Sequence, residues 1–177
     1  MSQVLRHKII TVKELLGLSL TIPEYQRPYK WTSRHITQLF EDIDVHKEKS
    51  AYRLGTIVFH QNKEQQNVLN IVDGQQRTLT LILAVKAIID IRLAEIVRQD
   101  LKNTLTELQK PLDDFMARTK FANNISQHNL HQNYVDLKRL VSRKEDFTET
   151  HIDFLINKCE VVTFYLEDIS EAFQFFD

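Results

Sequence analysis

The chain of 177 residues is short of several things. It has one cysteine, Cys159, so neither a disulfide framework nor a thiolate metal cluster can form within it. Cys159 adjoins an apolar run, which predicts a buried, inert thiol. Glycine and proline number three each, which predicts a mostly helical protein with few tight hairpins. An excess of one charge is also missing. Lys and Arg number 23 against 24 Asp and Glu, for a net charge of −1. A protein that coats DNA without sequence preference usually carries a basic excess, so that class is disfavoured. The start, "MSQVLRHKIITV", lacks the apolar centre of a signal peptide. The longest apolar-rich run, 79–91, is broken by Thr80, Lys86 and Asp90 and is too short to span a bilayer. A cytoplasmic location without a membrane partner is expected. No Walker loop and no GxSxG elbow is present.

Apolar residues make up 42%, enough for one medium domain or a domain with a helical annex. "KIITVKELL" predicts a strand entering a helical turn, with Thr11 and Glu14 as a capping box. A short extended piece and a loop follow, with Pro23 and Pro28 biasing the residues before them away from helix. Ile36, Leu39, Phe40 and Ile43 at helical spacing predict a helix capped by Thr32 or Ser33. "YRLGTIVFH" and "NVLNIV", separated by "QNKEQQ", predict an antiparallel hairpin. Gly55 inside its first strand predicts a bulge or a close backbone approach. The next helix should run from near Gly74 to about Arg98 and be central, since its first half is apolar on most sides.

Beyond residue 100, two amphipathic helices, a third helix at "THIDFLINKC" and a strand at 160–168 are predicted. "ISEAFQFFD" should restart as helix. Phe173, Phe175 and Phe176 at its end predict continuation into a larger protein.

"IVDGQQRTLTL", 71–81, sets Asp73, Gly74, Gln75, Gln76 and Arg77 where a strand hands over to a helix. Asp73 as N-cap and Gln76 three positions on would form a capping-box variant. Arg77 fits a purely structural role less well. It stands in the first turn, where the helix dipole disfavours a cation by roughly 0.3–1 kcal/mol. Amide N–H groups, the positive helix end and a guanidinium fork together suit a phosphate. A fold-back of Arg77 onto Asp73 or a core carboxylate suits the residues equally.

"IPEYQRPYKW" alternates Tyr25, Tyr29 and Trp31 with Gln26, Arg27 and Lys30. That pattern suits base stacking and phosphate pairing, or rings packed on the core with solvated cations. His128 and His131 have metal-ligand spacing but no marked partner, so a solvated helix face is expected. Glu41, Asp42 and Asp44 suit magnesium, or an ordinary polar face.

Taken together and in order, "TIPEYQRPYKW", "YRLGTIVF" and "IVDGQQRTLTL" resemble the DUF262 family. That family includes the N-terminal domain of GmrSD-type, modification-dependent restriction enzymes. Its IPxYQRxYxW, LGxIV and DGQQRxxTL signatures are all present. "VVTFYLEDISEAFQFFD" resembles the stretch that in the family leads into an LNxRGxxL motif, which would be expected to follow the last residue here.

The resemblance implies an α+β fold. Residues 1–99 would form a small ParB/sulfiredoxin-like mixed sheet with a central helix, and 100–177 a mostly helical region with one returning strand. It implies a nucleoside-triphosphate pocket made by the Gln26–Arg27 loop and the Asp73–Arg77 turn, with magnesium as a possible cofactor. The implied site is Tyr25, Gln26, Arg27, Trp31, Asp73, Gly74, Gln75, Gln76, Arg77 and Thr78. Arg27 and Arg77 would hold phosphates, and Gln75 or Gln76 would orient the attacking water. Asp73 would cap the helix or hold magnesium, and Tyr25 or Trp31 would stack on the base. An HNH-type nuclease domain, in the full-length protein or a partner subunit, and DNA reached through the larger assembly are the implied partners. The alternatives are a ParB-like nuclease acting on DNA directly, a non-catalytic reader of modified DNA, and a scaffold whose motif only caps a helix.

Overall fold

The computed structural model describes residues 6–22, 28–61, 68–119 and 124–167. It is an α+β fold built on a five-stranded mixed sheet. Strand β1 (Arg6–Thr11) runs into helix α1 (Val12–Leu16). Thr11 Oγ1 accepts the Glu14 N–H at 3.1 Å, and the Glu14 carboxylate accepts the Thr11 N–H at 3.1 Å, so the predicted capping box is present. Strand β2 (Leu20–Thr21) and helix α2 (Ser33–His46) follow. Thr32 is the N-cap of α2, and its N–H donates to His35 Nδ1 at 3.1 Å. Ile36, Leu39 and Ile43 are buried as their spacing requires, while Phe40 packs partly buried beside them.

Strands β3 (Tyr52–Gln61) and β4 (Leu69–Asp73) form the predicted antiparallel pair. Helix α3 (Gln75–Arg92) then crosses the core. It buries residues on nearly every side, including Leu81, Ile82, Val85 and Ile88. Each such side chain contributes about 1.5–3 kcal/mol when fully withdrawn from water. The helix stops at Arg92, short of the predicted Arg98, and gives way to one 3-10 turn over Leu93–Glu95. Arg92 is itself buried and donates to the Val141 and Phe147 carbonyls, which ties the end of α3 to the last turn of α5 and the segment after it.

Helices α4 (Gln99–Arg118) and α5 (Asn124–Ser142) pack against α3. Helix α6 (Glu149–Asp153) continues as a π turn over Phe154–Lys158 into strand β5 (Cys159–Leu166). The returning strand is central to the sheet. The order is β1-β5-β3-β4-β2, with β5 antiparallel to β1 and parallel to β3. Residues from both ends of the described chain therefore share one sheet. Cys159 is fully buried, and burial pushes its thiol up to about 12, as suits an inert position. The closing phenylalanines and the predicted last helix lie outside the described residues. No helix among the described residues is long and apolar enough to cross a membrane.

Candidate functional site

The turn from β4 to α3 departs from its predicted form. Asp73 is the last residue of β4, and Gly74 is the N-cap. The physical reason lies in the backbone. Gly74 has φ +90°, and a Cβ there would stand 3.0 Å from the Thr56 carbonyl oxygen. Only glycine takes that left-handed turn so close to β3 without strain. The consequence is a helix whose N-cap offers no side-chain oxygen to its leading amides.

Gly55 meets the same turn from the other side. The β3–β5 register slips between Arg53 and Gly55, so the predicted irregularity is a bulge. The close approach there is made by Arg77. A Cβ on Gly55 would lie 2.5 Å from Arg77 Nη1 and 2.9 Å from Cζ. The guanidinium thus lies flat against the bare backbone of β3. The Trp31 ring centroid stands 5.7 Å from Cζ, in cation–π range. Trp31 stacks in turn on His35, with centroids 4.9 Å apart.

Arg77 is half-buried, and desolvation pulls its pKa down. Asp73 and Tyr52 act through space in the opposite sense. The predicted fold-back onto a carboxylate is therefore present only as a through-space attraction: among the described residues no hydrogen bond or ion pair holds this guanidinium. Guanidinium stays charged at all ordinary pH. A partly desolvated cation beside a helix N-terminus whose N-cap is glycine is an arrangement that favours an anion.

The other candidates fall into two groups. Gln76 turns to the aromatic loop. Its Oε1 accepts the Lys30 N–H at 2.8 Å and the Trp31 N–H at 3.3 Å, and its Nε2 donates to the Pro28 carbonyl at 3.0 Å. Gln75 and Thr78 turn inward. Gln75 is 8% exposed and donates to the Ile71 carbonyl, and Thr78 is fully buried with its hydroxyl on the Gly74 carbonyl. The structure thus brings together Trp31, Gly74, Gln76 and Arg77, with Asp73 near enough to act on Arg77. Tyr25, Gln26 and Arg27 lie outside the described residues.

Tyr29 is a core residue, 1% exposed, and not a surface platform. Its hydroxyl lies 2.7 Å from Thr80 Oγ1, and burial pushes the phenol up. Gly55 was legible as a close approach, but its partner was not. Nothing in the sequence singled out Ser126, Asn129 and Asn133, which bond to residues 29–31 from α5. Their one signal is three small polar residues at i, i+3 and i+7.

Pro28, Lys30 and Trp31, the Gly55 strand and the first turn of α3 meet here, and a family model describing the GmrSD restriction endonuclease N-terminal domain matches residues 6–177. The chain belongs to that family. No curated protein matches it. A GmrSD N-terminal domain is by description part of a restriction system.

Two further sequence candidates resolve differently. His128 and His131 are exposed on α5, as a solvated face requires. Asp44 accepts from His151 Nε2 at 2.8 Å, while His151 Nδ1 accepts the Thr148 N–H at 2.9 Å, so the neutral imidazole carries its proton on Nε2. Both line a cleft of about 570 Å³ between α2 and the turn after α5, which contains none of the motif residues. Among the described residues, no three His, Cys, Asp or Glu side chains converge as a metal cage would need.

Proposed function

We propose that this GmrSD N-terminal domain binds and hydrolyses a nucleoside triphosphate and so regulates a modification-dependent DNA restriction system acting in phage defence. The observation that carries the reading is Arg77. It is half-buried and charged, without an ion pair among the described residues, and it stands at a helix N-terminus whose cap is a glycine. A triphosphate supplies the missing negative charge. Gly55 and Trp31 both pack against the guanidinium, and a preorganised fork binds phosphate at a lower entropic cost.

Phosphoryl transfer asks for positioning and charge stabilisation more than covalent chemistry. Arg77, with Arg27 as a second cation, would steady the charge that builds on the transferred phosphoryl group. Trp31 would shape the mouth or stack on the base. The Gln76 amide already serves three loop backbone groups, so its part is to hold the loop beside Arg77. Gln75 and Thr78 would support the turn from within. Magnesium bound with phosphates needs only one or two protein carboxylates, and Asp73 fits that need. In the full system an HNH-type nuclease domain would cut the DNA. No convergence of carboxylates among the described residues favours the domain as a nuclease in its own right.

Calorimetry with each nucleoside triphosphate and magnesium tests the reading. Loss of one charge-assisted phosphate contact costs about 1.5–3 kcal/mol, so Arg77→Ala should weaken binding roughly tenfold or more. Unchanged affinity in a folded variant would remove Arg77 from the site.

A further inference from the structure

Helix α5 reaches back to the aromatic loop across 97 to 104 residues of chain, and its grip is polar. Ser126, Asn129 and Asn133 share one helical face. Ser126 Oγ accepts the Tyr29 N–H at 2.8 Å, and Asn129 Nδ2 donates to the Tyr29 carbonyl at 2.9 Å. Asn133 Nδ2 donates both to the Tyr29 hydroxyl at 2.9 Å and to the Trp31 carbonyl at 2.8 Å. Ser126 and Asn133 are 2% and 1% exposed.

Packing a helix on a loop needs only apolar side chains. Polar groups buried at such a contact cost free energy unless each finds a partner. Here the partners are the backbone of Tyr29 and Trp31 and the Tyr29 hydroxyl. Hydrogen bonds are directional, so these bonds fix the path of the loop and not merely its burial. The relay continues into the candidate site. The Tyr29 hydroxyl meets Thr80, and Thr80 donates to the Gln76 carbonyl at 2.8 Å. Gln76 in turn holds the N–H groups of Lys30 and Trp31.

We propose that Ser126, Asn129 and Asn133 are positioning residues that set Trp31 over Arg77, so that the seating of α5 regulates the anion site. Whatever moves α5 moves Trp31. Only the affinity arm of the test rests on the nucleotide reading. The chain has a single tryptophan, so its fluorescence reports the loop with or without ligand.

The test uses the full chain with Asn133→Ala and, as a control for simple destabilisation, Leu137→Ala, a fully buried core residue one turn further along α5. Both variants should melt earlier. Asn133→Ala alone should shift Trp31 emission to the red, raise its quenching by acrylamide, and weaken triphosphate binding by about tenfold. Should Asn133→Ala fail to fold, Ser126→Ala, which removes a single bond to the loop, carries the same readouts. Wild-type Trp31 quenching in the folded variant, or an equal change in Leu137→Ala, overturns the proposal. If the wild type binds no nucleotide while Asn133→Ala still exposes Trp31, the positioning role stands and the nucleotide reading falls.

Discussion

A methyl group added at Gly55 probes the candidate site with the smallest change available. In Gly55→Ala the new Cβ would stand 2.5 Å from Arg77 Nη1 and 3.3 Å from Nε, both inside ordinary contact. The arginine tip is flexible, so overlap is relieved by moving the guanidinium off β3 and out of its present seat beside Trp31. The backbone cannot adjust so easily. Gly55 has φ +152°, a region that side chains rarely adopt, and holding alanine there costs about 1–3 kcal/mol. For a chain of this size that lowers Tm by roughly 2–12 °C. The displaced guanidinium loses its phosphate contact, worth about 1.5–3 kcal/mol, or about ten- to more than a hundredfold in Kd. A double-mutant cycle with Arg77→Ala, read by calorimetry, separates the two effects. Once the arginine is gone the methyl group should cost no further affinity, so the two losses should fall well short of additive. A folded Gly55→Ala that binds as tightly as wild type, or losses that add in full, would refute the reasoning.

Removing the Gln76 amide should free three loop groups at once. Gln76→Ala should lose about 1–2 kcal/mol in urea denaturation and shift Trp31 emission, whereas an unmoved spectrum would mean that the loop is held by other contacts. His151 and then Lys47 hold the Asp44 carboxyl below its usual range. A carboxylate whose pKa falls on folding stabilises the protein fully above its unfolded value of about 4, and that contribution fades as pH falls through the lower folded value. The stability gap between wild type and Asp44→Asn should therefore be full at neutral pH and shrink below about pH 4; a gap independent of pH counts against the pair. Cys159, with its thiol pushed up to about 12, should react with a thiol reagent only as fast as the protein opens. Rapid labelling of the native protein would contradict its burial.

Much of the fold was legible because local rules and burial agreed. The Thr11–Glu14 box, the Ile36–Leu39–Ile43 stripe, the β3–β4 pair and the buried α3 each satisfy propensity and packing at once. The errors lie where tertiary contacts overrule local preference. Asp73 is a better N-cap by composition, yet the approach of Thr56 gives that place to glycine. Helix α3 ends at Arg92, whose buried side chain serves the Val141 and Phe147 carbonyls, a pairing across about fifty residues that local pattern does not encode. The site was legible in part. Arg77 could be singled out as a cation in the wrong half of a helix, and Gly55 as a close approach, but only the fold joins the two. The face of Ser126, Asn129 and Asn133 was hidden because α5 was read by its apolar stripe, Leu130, Tyr134, Leu137 and Val141. Three polar residues on a helix look solvated until the loop that covers them is in place.

The central claim is that Arg77 and the first turn of α3 hold a nucleotide phosphate. Thermal melting with each of the four ribonucleoside triphosphates, with and without magnesium, tests it most directly. A ligand at about a hundred times its Kd adds roughly 2.7 kcal/mol, which raises Tm by roughly 5–11 °C here. At least one triphosphate should give that rise in the wild type and lose it in Arg77→Ala. A wild-type melting curve that no triphosphate moves would contradict the account.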